Sequence, residues 1–323
     1  MPQRPVRRES QRRPRGASST PRRSKSTWEA AVARFIDEGK RKNLSPSTLG
    51  NYAWYLSGFR TKDFLADNGV TSPAEFSADK LRAFEGELLR VGVSAGTVAT
   101  FHRILKNFVG FCQREGLGGD AKVLQVEGPK LAQEEPETFT PDEERRLLAA
   151  VKDKPRDEAI ILLMLGTGLR LQEVCNVLVD DLVDSPQGAY VRVRQGKGRK
   201  DRIVPLDTGT SRLSVKLTRY VDKVRPQDTR QHALFLANRR DGDDYAPLSA
   251  SAIQNIFKRL GKETGIHMNP HKFRHTFATR ALSAGVDVMA LQKALGHTTL
   301  AMVSRYVHYQ KDDLLEAWRQ RRD

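Results

Sequence analysis

Apolar residues recur at helical spacing through the first third of the chain. Trp28, Ala31, Val32, Phe35 and Ile36 form one stripe, and Ser45-Pro46-Ser47-Thr48 reads as a cap opening a second helix through Tyr52, Tyr55 and Leu56. A third helix follows Ser77, with Leu81, Phe84, Leu88 and Leu89 on one face. A fourth runs from about Ala95 to Glu115, carries Val98, Phe101, Leu105, Phe108, Val109 and Cys112, and stops at Gly116. Four helices within roughly ninety residues predict a small all-α domain. From Leu117 to Thr138 the period dissolves among Gly, Pro, Gln and Glu, which predicts an interdomain linker.

Order returns sharply at Thr140-Pro141-Asp142-Glu143, a capping box with Pro at the first helical position. Ala159 to Leu165 is a continuous apolar run, read as a buried helix ended by Gly168. Val191 and Val193 alternate with Arg192 and Arg194, so Tyr190–Arg194 and Arg202–Leu206 predict two strands joined by a Gly-rich turn. Helices then resume to the end, with starts expected near Thr210, Ser249, Pro270 and Asp287. No repeat of solenoid period is visible.

Charge narrows the partner. The 323-residue chain carries a net charge of +16, which points to a polyanion. Residues 1–26 contribute half of it, with Arg4, Arg7, Arg8, Arg12, Arg13, Arg15, Arg22, Arg23 and Lys25 against Glu9 alone. This leader is either a solvated disordered tail or an arm that touches phosphates. It lacks the apolar core of a signal peptide, and no run is long enough to span a bilayer, so a soluble cytoplasmic or nucleoid protein is expected. Cys112 and Cys175 fall inside apolar helical patterns and are expected as reduced core residues, without metal-type spacing.

Reactive side chains arrive in five short phrases: Thr167-Gly168-Leu169-Arg170, Gly196-Lys197-Gly198, His271-Lys272-Phe273-Arg274, Leu295-Gly296-His297 and Ser304-Arg305-Tyr306. Arg170 and Glu173 share a face if they open a helix. They are then either a surface ion pair or an Arg that grips a phosphate while Glu fixes its plane. Lys197 is either a solvated turn residue or a proton donor to a leaving oxygen. Arg199, Lys200 and Arg202 crowd the same hairpin and suggest a phosphate-facing edge. His271 and Arg274 lie near the start of a helix opened by Asn269-Pro270, where free N–H groups favour an anion. His275 makes a His-x-x-x-His pair with His271, but the Glu of the metalloprotease motif is missing and no metal is expected. His297 alone reads as a C-capping residue, and Tyr306, beside Leu300, Met302 and Val303, as a half-buried core Tyr. Together they are the groups that hold a phosphodiester and break it covalently without a metal.

The order and wording of these phrases resemble the tyrosine recombinase (phage integrase) family, from about residue 27 to near the C-terminus. The specific matches are Thr167-Gly168-Leu169-Arg170 with Glu173, Gly196-Lys197-Gly198 leading through Arg202 to Val204-Pro205-Leu206, His271 to Thr279, and Leu295-Gly296-His297 followed nine residues later by Tyr306. Phe273 stands where members often carry Leu. The resemblance implies six catalytic residues (Arg170, Lys197, His271, Arg274, His297 and Tyr306), with Glu173 supporting. It implies a mainly α fold with a small antiparallel sheet in the catalytic domain, the DNA breaking-rejoining fold, arranged as a two-domain C-shaped clamp. Its parts would be a basic tail at 1–26, a SAM-like helical core-binding domain at 27–117, a linker at 118–138 and a catalytic domain at 139–323. The resemblance further implies double-stranded DNA sites held by a homo-tetramer, or a hetero-tetramer with a paralogue. A C-terminal helix would dock into a neighbour through Leu314, Leu315 and Trp318; Trp318 in cis is the alternative. No cofactor, ATP or metal is implied. Base-reading side chains are expected in the helix from Ala95 and between Ser249 and Lys262.

Three roles fit this compact form: a mobile-element integrase or transposon recombinase, a Xer-type dimer-resolution recombinase, and a topoisomerase-like strand passer. No arm-binding domain of the lambda-integrase kind is expected, and the basic leader favours the mobile element. A DNA-binding regulator with dead chemistry would predict a broken catalytic set, and the set is complete.

Overall fold

The computed structural model describes residues 26–131, 136–194, 201–207 and 212–296. The chain divides into two compact units, Met1–Gln133 and Glu134–Asp323.

The first unit contains α1 (Trp28–Arg41), α2 (Pro46–Ser57), α3 (Phe59–Asp67), α4 (Ala78–Arg90) and α5 (Ala95–Arg114). Hydroxyl caps start four of them: Thr27, Ser45, Ser77 and Ser94 each accept a backbone N–H from the first turn. The helix α3 is the addition to the four expected. It begins at Gly58, which makes no side-chain cap, so the sequence carries no start signal there. Aromatic rings fill the core. Trp28 packs against Phe76 and Phe108, and its indole N–H donates to the Leu56 carbonyl at 3.0 Å.

The segment after α5 folds back onto this unit. Val123 and Val126 are buried, the Asp120 carboxylate accepts the Ala78 N–H, and Lys106 Nζ donates to the Val126 carbonyl at 2.7 Å. Residues 117–128 therefore belong to the packed body of the first unit, because their apolar side chains find a home on α5 without any helical period. Between α4 and α5, His102 Nδ1 lies 2.6 Å from Glu85 Oε1, with both side chains nearly buried.

The second unit opens with α6 (Pro141–Val151), α7 (Pro155–Thr167) and α8 (Leu171–Asn176). Its first cap is reciprocal: Thr140 Oγ1 accepts from Glu143 N and Glu143 Oε2 from Thr140 N. The apolar run 159–165 is the buried heart of α7, with Ile160, Ile161, Leu163 and Met164 wholly covered. The strands β1 (Leu182–Val183), β2 (Tyr190–Val193) and β3 (Arg202–Pro205) form an antiparallel sheet, in which Val191 pairs with Val204 and Val193 with Arg202. After α9 (Leu213–Lys223) comes a second sheet absent from the sequence reading, the hairpin of β4 (Leu236–Asp241) and β5 (Asp244–Pro247). Its strands are short and polar and show no alternation, which hid them.

Three helices close the described chain: α10 (Ala250–Thr264), α11 (Pro270–Ser283) and α12 (Val288–Leu295). They start from the Ser249, Asn269 and Asp287 side-chain caps. Phe273 on α11 is fully buried, stacked on Phe257 and edge-on to Phe139, so the departure from Leu is taken up by an aromatic cluster. An apolar groove in this unit is lined by Leu148, Leu162, Leu165, Phe277, Ala281 and Leu291. Cys112 and Cys175 are both buried free thiols in different units. Burial pushes the Cys112 thiol up to about 12. Among the described residues no helix is long and apolar enough to cross a membrane.

Candidate active site

Gly168 is the hinge of the site. It ends α7 with φ +60°, a left-handed conformation that L side chains resist. A Cβ there would come within 2.7 Å of the Phe277 ring. The chain turns at this point and delivers Arg170 to the start of α8. Glu173, one turn later, is shared. Its Oε2 accepts the Arg170 backbone N–H at 2.8 Å, and its Oε1 accepts Arg170 Nη1 at 3.0 Å. The pair expected on one face is thus present, and it is not an isolated surface ion pair.

Arg202 completes it. From β3 its two terminal nitrogens donate to both Glu173 oxygens, at 2.9 and 2.7 Å. This corrects the expectation of a phosphate-facing edge at Arg202. The side chain turns inward and is 10% exposed, like Glu173, while that of Arg170 is 29% exposed and is the most open of the three. The signal was in the strand period. Arg202 and Val204 share one face of β3, Val204 is fully buried, and Ile203 between them is 57% exposed.

The same guanidinium groups converge on the end of α12. Arg202 Nε donates to the Ala294 carbonyl at 2.7 Å, Arg274 Nη2 to Leu295 at 2.6 Å, and Arg170 Nη2 to Gly296 at 3.3 Å. Helix C-termini leave their last carbonyls without intrahelical donors and carry negative partial charge. Three consecutive carbonyls therefore gather three cations. Arg274 Nη1 also donates to the Gly168 carbonyl at 2.9 Å, which ties α11 to the α7 stop. Gly296 itself has φ +65°, and a Cβ there would sit 3.3 Å from the Arg202 guanidinium.

Electrostatics favour an anion. Burial works to raise the Glu173 pKa, but the Arg202 side chain, the Arg170 backbone N–H and the two positive charges outweigh it and hold the carboxyl below its ordinary value. Among the described residues, Glu173 sets one negative charge against the two of Arg170 and Arg202, so this trio carries net positive charge. His271 is exposed in the first turn of α11, one turn before the buried Arg274. Lys272 points the other way, into Glu143 at 3.2 Å and over the Phe139 ring, and fastens α11 to α6. The His271 and His275 rings lie 6.2 Å apart, and among the described residues no group of three His, Cys, Asp or Glu side chains could hold a metal ion.

The structure thus brings Arg170, Glu173 and Arg274 together and places His271 on the same helix as Arg274. Lys197, His297 and Tyr306 lie outside the described residues, as do Leu314, Leu315 and Trp318. Lys197 precedes β3 by a few positions, and His297 follows Gly296 directly.

Residues 137–313 match the phage integrase family. The chain is 33% identical to tyrosine recombinase XerA of Pyrococcus horikoshii, over 87% of this chain and 88% of that protein. It is 32% identical to tyrosine recombinase XerD of Staphylococcus epidermidis, over 86% and 93% respectively. The chain belongs to the phage integrase family of tyrosine recombinases. As a family member it is a site-specific DNA recombinase, an enzyme that transfers DNA strands. Solved structures agree on the fold. The integrase of transposon Tn1549, in complex with a circular intermediate DNA, superposes with a TM-score of 0.72 at 19% identity, covering 91% of this chain and 99% of that one. A lambda integrase tetramer bound to a Holliday junction gives 0.68 at 17% identity, with 89% and 80% covered. The recombinase is mostly helical with small antiparallel sheets, as the sequence predicts.

Proposed function

We propose that this recombinase cleaves and rejoins double-stranded DNA through a 3′-phosphotyrosyl intermediate, using Arg170, Lys197, His271, Arg274, His297 and Tyr306. The observation that carries the reading is the meeting of Arg170 and Arg274 at the end of α12, directly before His297. The two guanidinium groups neutralise the scissile phosphate where charge builds up in the pentavalent state. His271 and His297 hydrogen-bond its oxygens. Tyr306 passes its phenolic proton to His271 as its oxygen bonds to phosphorus, the bond from phosphorus to the 5′ oxygen breaks, and the departing 5′ oxygen takes a proton from Lys197. The covalent link keeps the bond energy, so the 5′-hydroxyl of a partner DNA reverses the step without ATP, metal or cofactor.

The first unit serves as the core-binding domain. In support, α5 holds no Asp or Glu, and Ser94, Thr97, Thr100 and Arg103 near its start offer neutral or basic groups to a duplex. Four protomers act on two sites, and the apolar groove around Leu148, Phe277 and Leu291 receives Leu314, Leu315 and Trp318 of a neighbour. The biological role is that of an integrase or transposon recombinase. A Xer-type role is the second reading, favoured by likeness at 33% identity to a XerA protein over most of both chains.

The test is a nicked suicide substrate. Tyr306→Phe should bind its site normally and trap no covalent DNA, and the wild type should trap it in the presence of EDTA. Full trapping by Tyr306→Phe removes the nucleophile assignment.

A further inference from the structure

Arg202 is not among the groups proposed to touch the DNA, yet all three nitrogens of its guanidinium donate hydrogen bonds inside the protein. It makes a two-pronged ion pair with Glu173 and a third bond to the Ala294 carbonyl, and it is almost wholly covered. It enters from β3, Glu173 from α8, and Ala294 from α12. One side chain therefore ties together three elements that are far apart in sequence.

Its geometry acts on Arg170 in two ways. Glu173 Oε1 accepts from both Arg202 Nη1 and Arg170 Nη1, so Arg202 sets the plane in which the carboxylate meets the Arg170 guanidinium. A planar fork on both oxygens leaves the carboxylate one orientation, where a lone Glu–Arg pair would rotate. Arg202 also supplies a second positive charge to the same carboxylate. Without it, Glu173 would neutralise Arg170 by itself and weaken its pull on an anion. Meanwhile the Nε bond holds the last turn of α12, whose neighbouring carbonyls meet Arg274 and Arg170.

We propose that Arg202 is a positioning residue for phosphate cleavage, acting through Glu173 on Arg170 and through Ala294 on the end of α12. The proposal rests on Arg170 being a phosphate ligand. Misplacing a reacting group by an ångström costs on the order of 100-fold in rate.

The experiment measures single-turnover cleavage of a suicide substrate and, separately, affinity for the same DNA. It uses Arg202→Ala, Arg202→Lys, Glu173→Gln and the Arg202→Ala/Glu173→Gln double variant, with Arg170→Ala as reference. The expected result is cleavage slowed about 100-fold by Arg202→Ala, with site affinity within a few-fold of wild type. Arg202→Lys should remain slow, because an ammonium keeps the charge but not the fork. The double variant should fall short of the product of the two single losses, since the route through Glu173 is common to both changes. Wild-type cleavage by Arg202→Lys overturns the fork argument even if the Ala variant fails to fold. Losses that multiply in the double variant overturn the route through Glu173. Normal cleavage by Arg170→Ala would instead remove the phosphate-ligand reading, a separate failure.

Discussion

Each unit buries a carboxylate against nitrogen, and the two do so with different partners. In the first, Glu85 meets the single imidazole of His102, wedged between α4 and α5 with Gly128 against the ring. In the second, Glu173 meets two guanidinium groups that cannot lose their charge, with Arg274 close behind. The first arrangement is closed: one carboxylate and one imidazole, both nearly buried. The second is left cationic, and its most open member is Arg170. A buried polar group is costly unless it is paired. In the first unit the pairing joins two helices, and in the second it holds Arg170 at the end of α12.

The largest effect should separate the two directly. Arg170→Ala should slow suicide-substrate cleavage about 100- to 1000-fold with little change in site affinity. Glu85→Gln should leave the cleavage rate of bound DNA at the wild-type value and lower only the unfolding midpoint. Equal losses of rate in both variants would erase the distinction.

Acid gives a second, smaller contrast. Glu173 is held below its ordinary value of 4.5, against its burial, by Arg202 and Arg170. A carboxyl depressed in the folded state stabilises it fully above the unfolded value, and that contribution fades as pH falls through the folded one. Denaturant midpoints of the second unit should therefore decline below pH 4.5, the ordinary value of this carboxyl. Glu173→Gln should flatten part of that decline, and an unchanged slope would show that the pair contributes nothing to pH-dependent stability.

The smallest effect should be shared. Thr140→Ala in the second unit and Ser94→Ala in the first each remove a helix-capping oxygen. Each should cost about 1 kcal/mol of unfolding free energy, read from denaturant titrations. Like losses would place the difference between the units in the partners of their buried carboxylates and not in their helices.

Local chemistry made much of this legible in advance. Ser45, Ser77, Thr140, Ser249, Asn269 and Asp287 announce helix starts because a side-chain oxygen must meet a free N–H, and the structure uses each of them so. Gly168 announces a stop because few other residues tolerate its φ. What stayed hidden depends on distant partners. The helix α3 has no cap to declare it, and the β4–β5 hairpin has no alternation. Arg202 looked like one more cation in a basic turn. Its destination is set by Glu173 and Ala294, and only the buried Val204 two residues on hints that it faces inward.

The burial of both sulfurs has a practical consequence. Cys112 and Cys175 are the chain's two cysteines, and neither thiol is open to solvent. Burial raises the pKa of each, so little reactive thiolate forms at neutral pH. A single cysteine engineered onto the surface should then take a maleimide dye selectively in the otherwise unaltered protein, opening the assembly of recombinase on DNA to fluorescence at one chosen position.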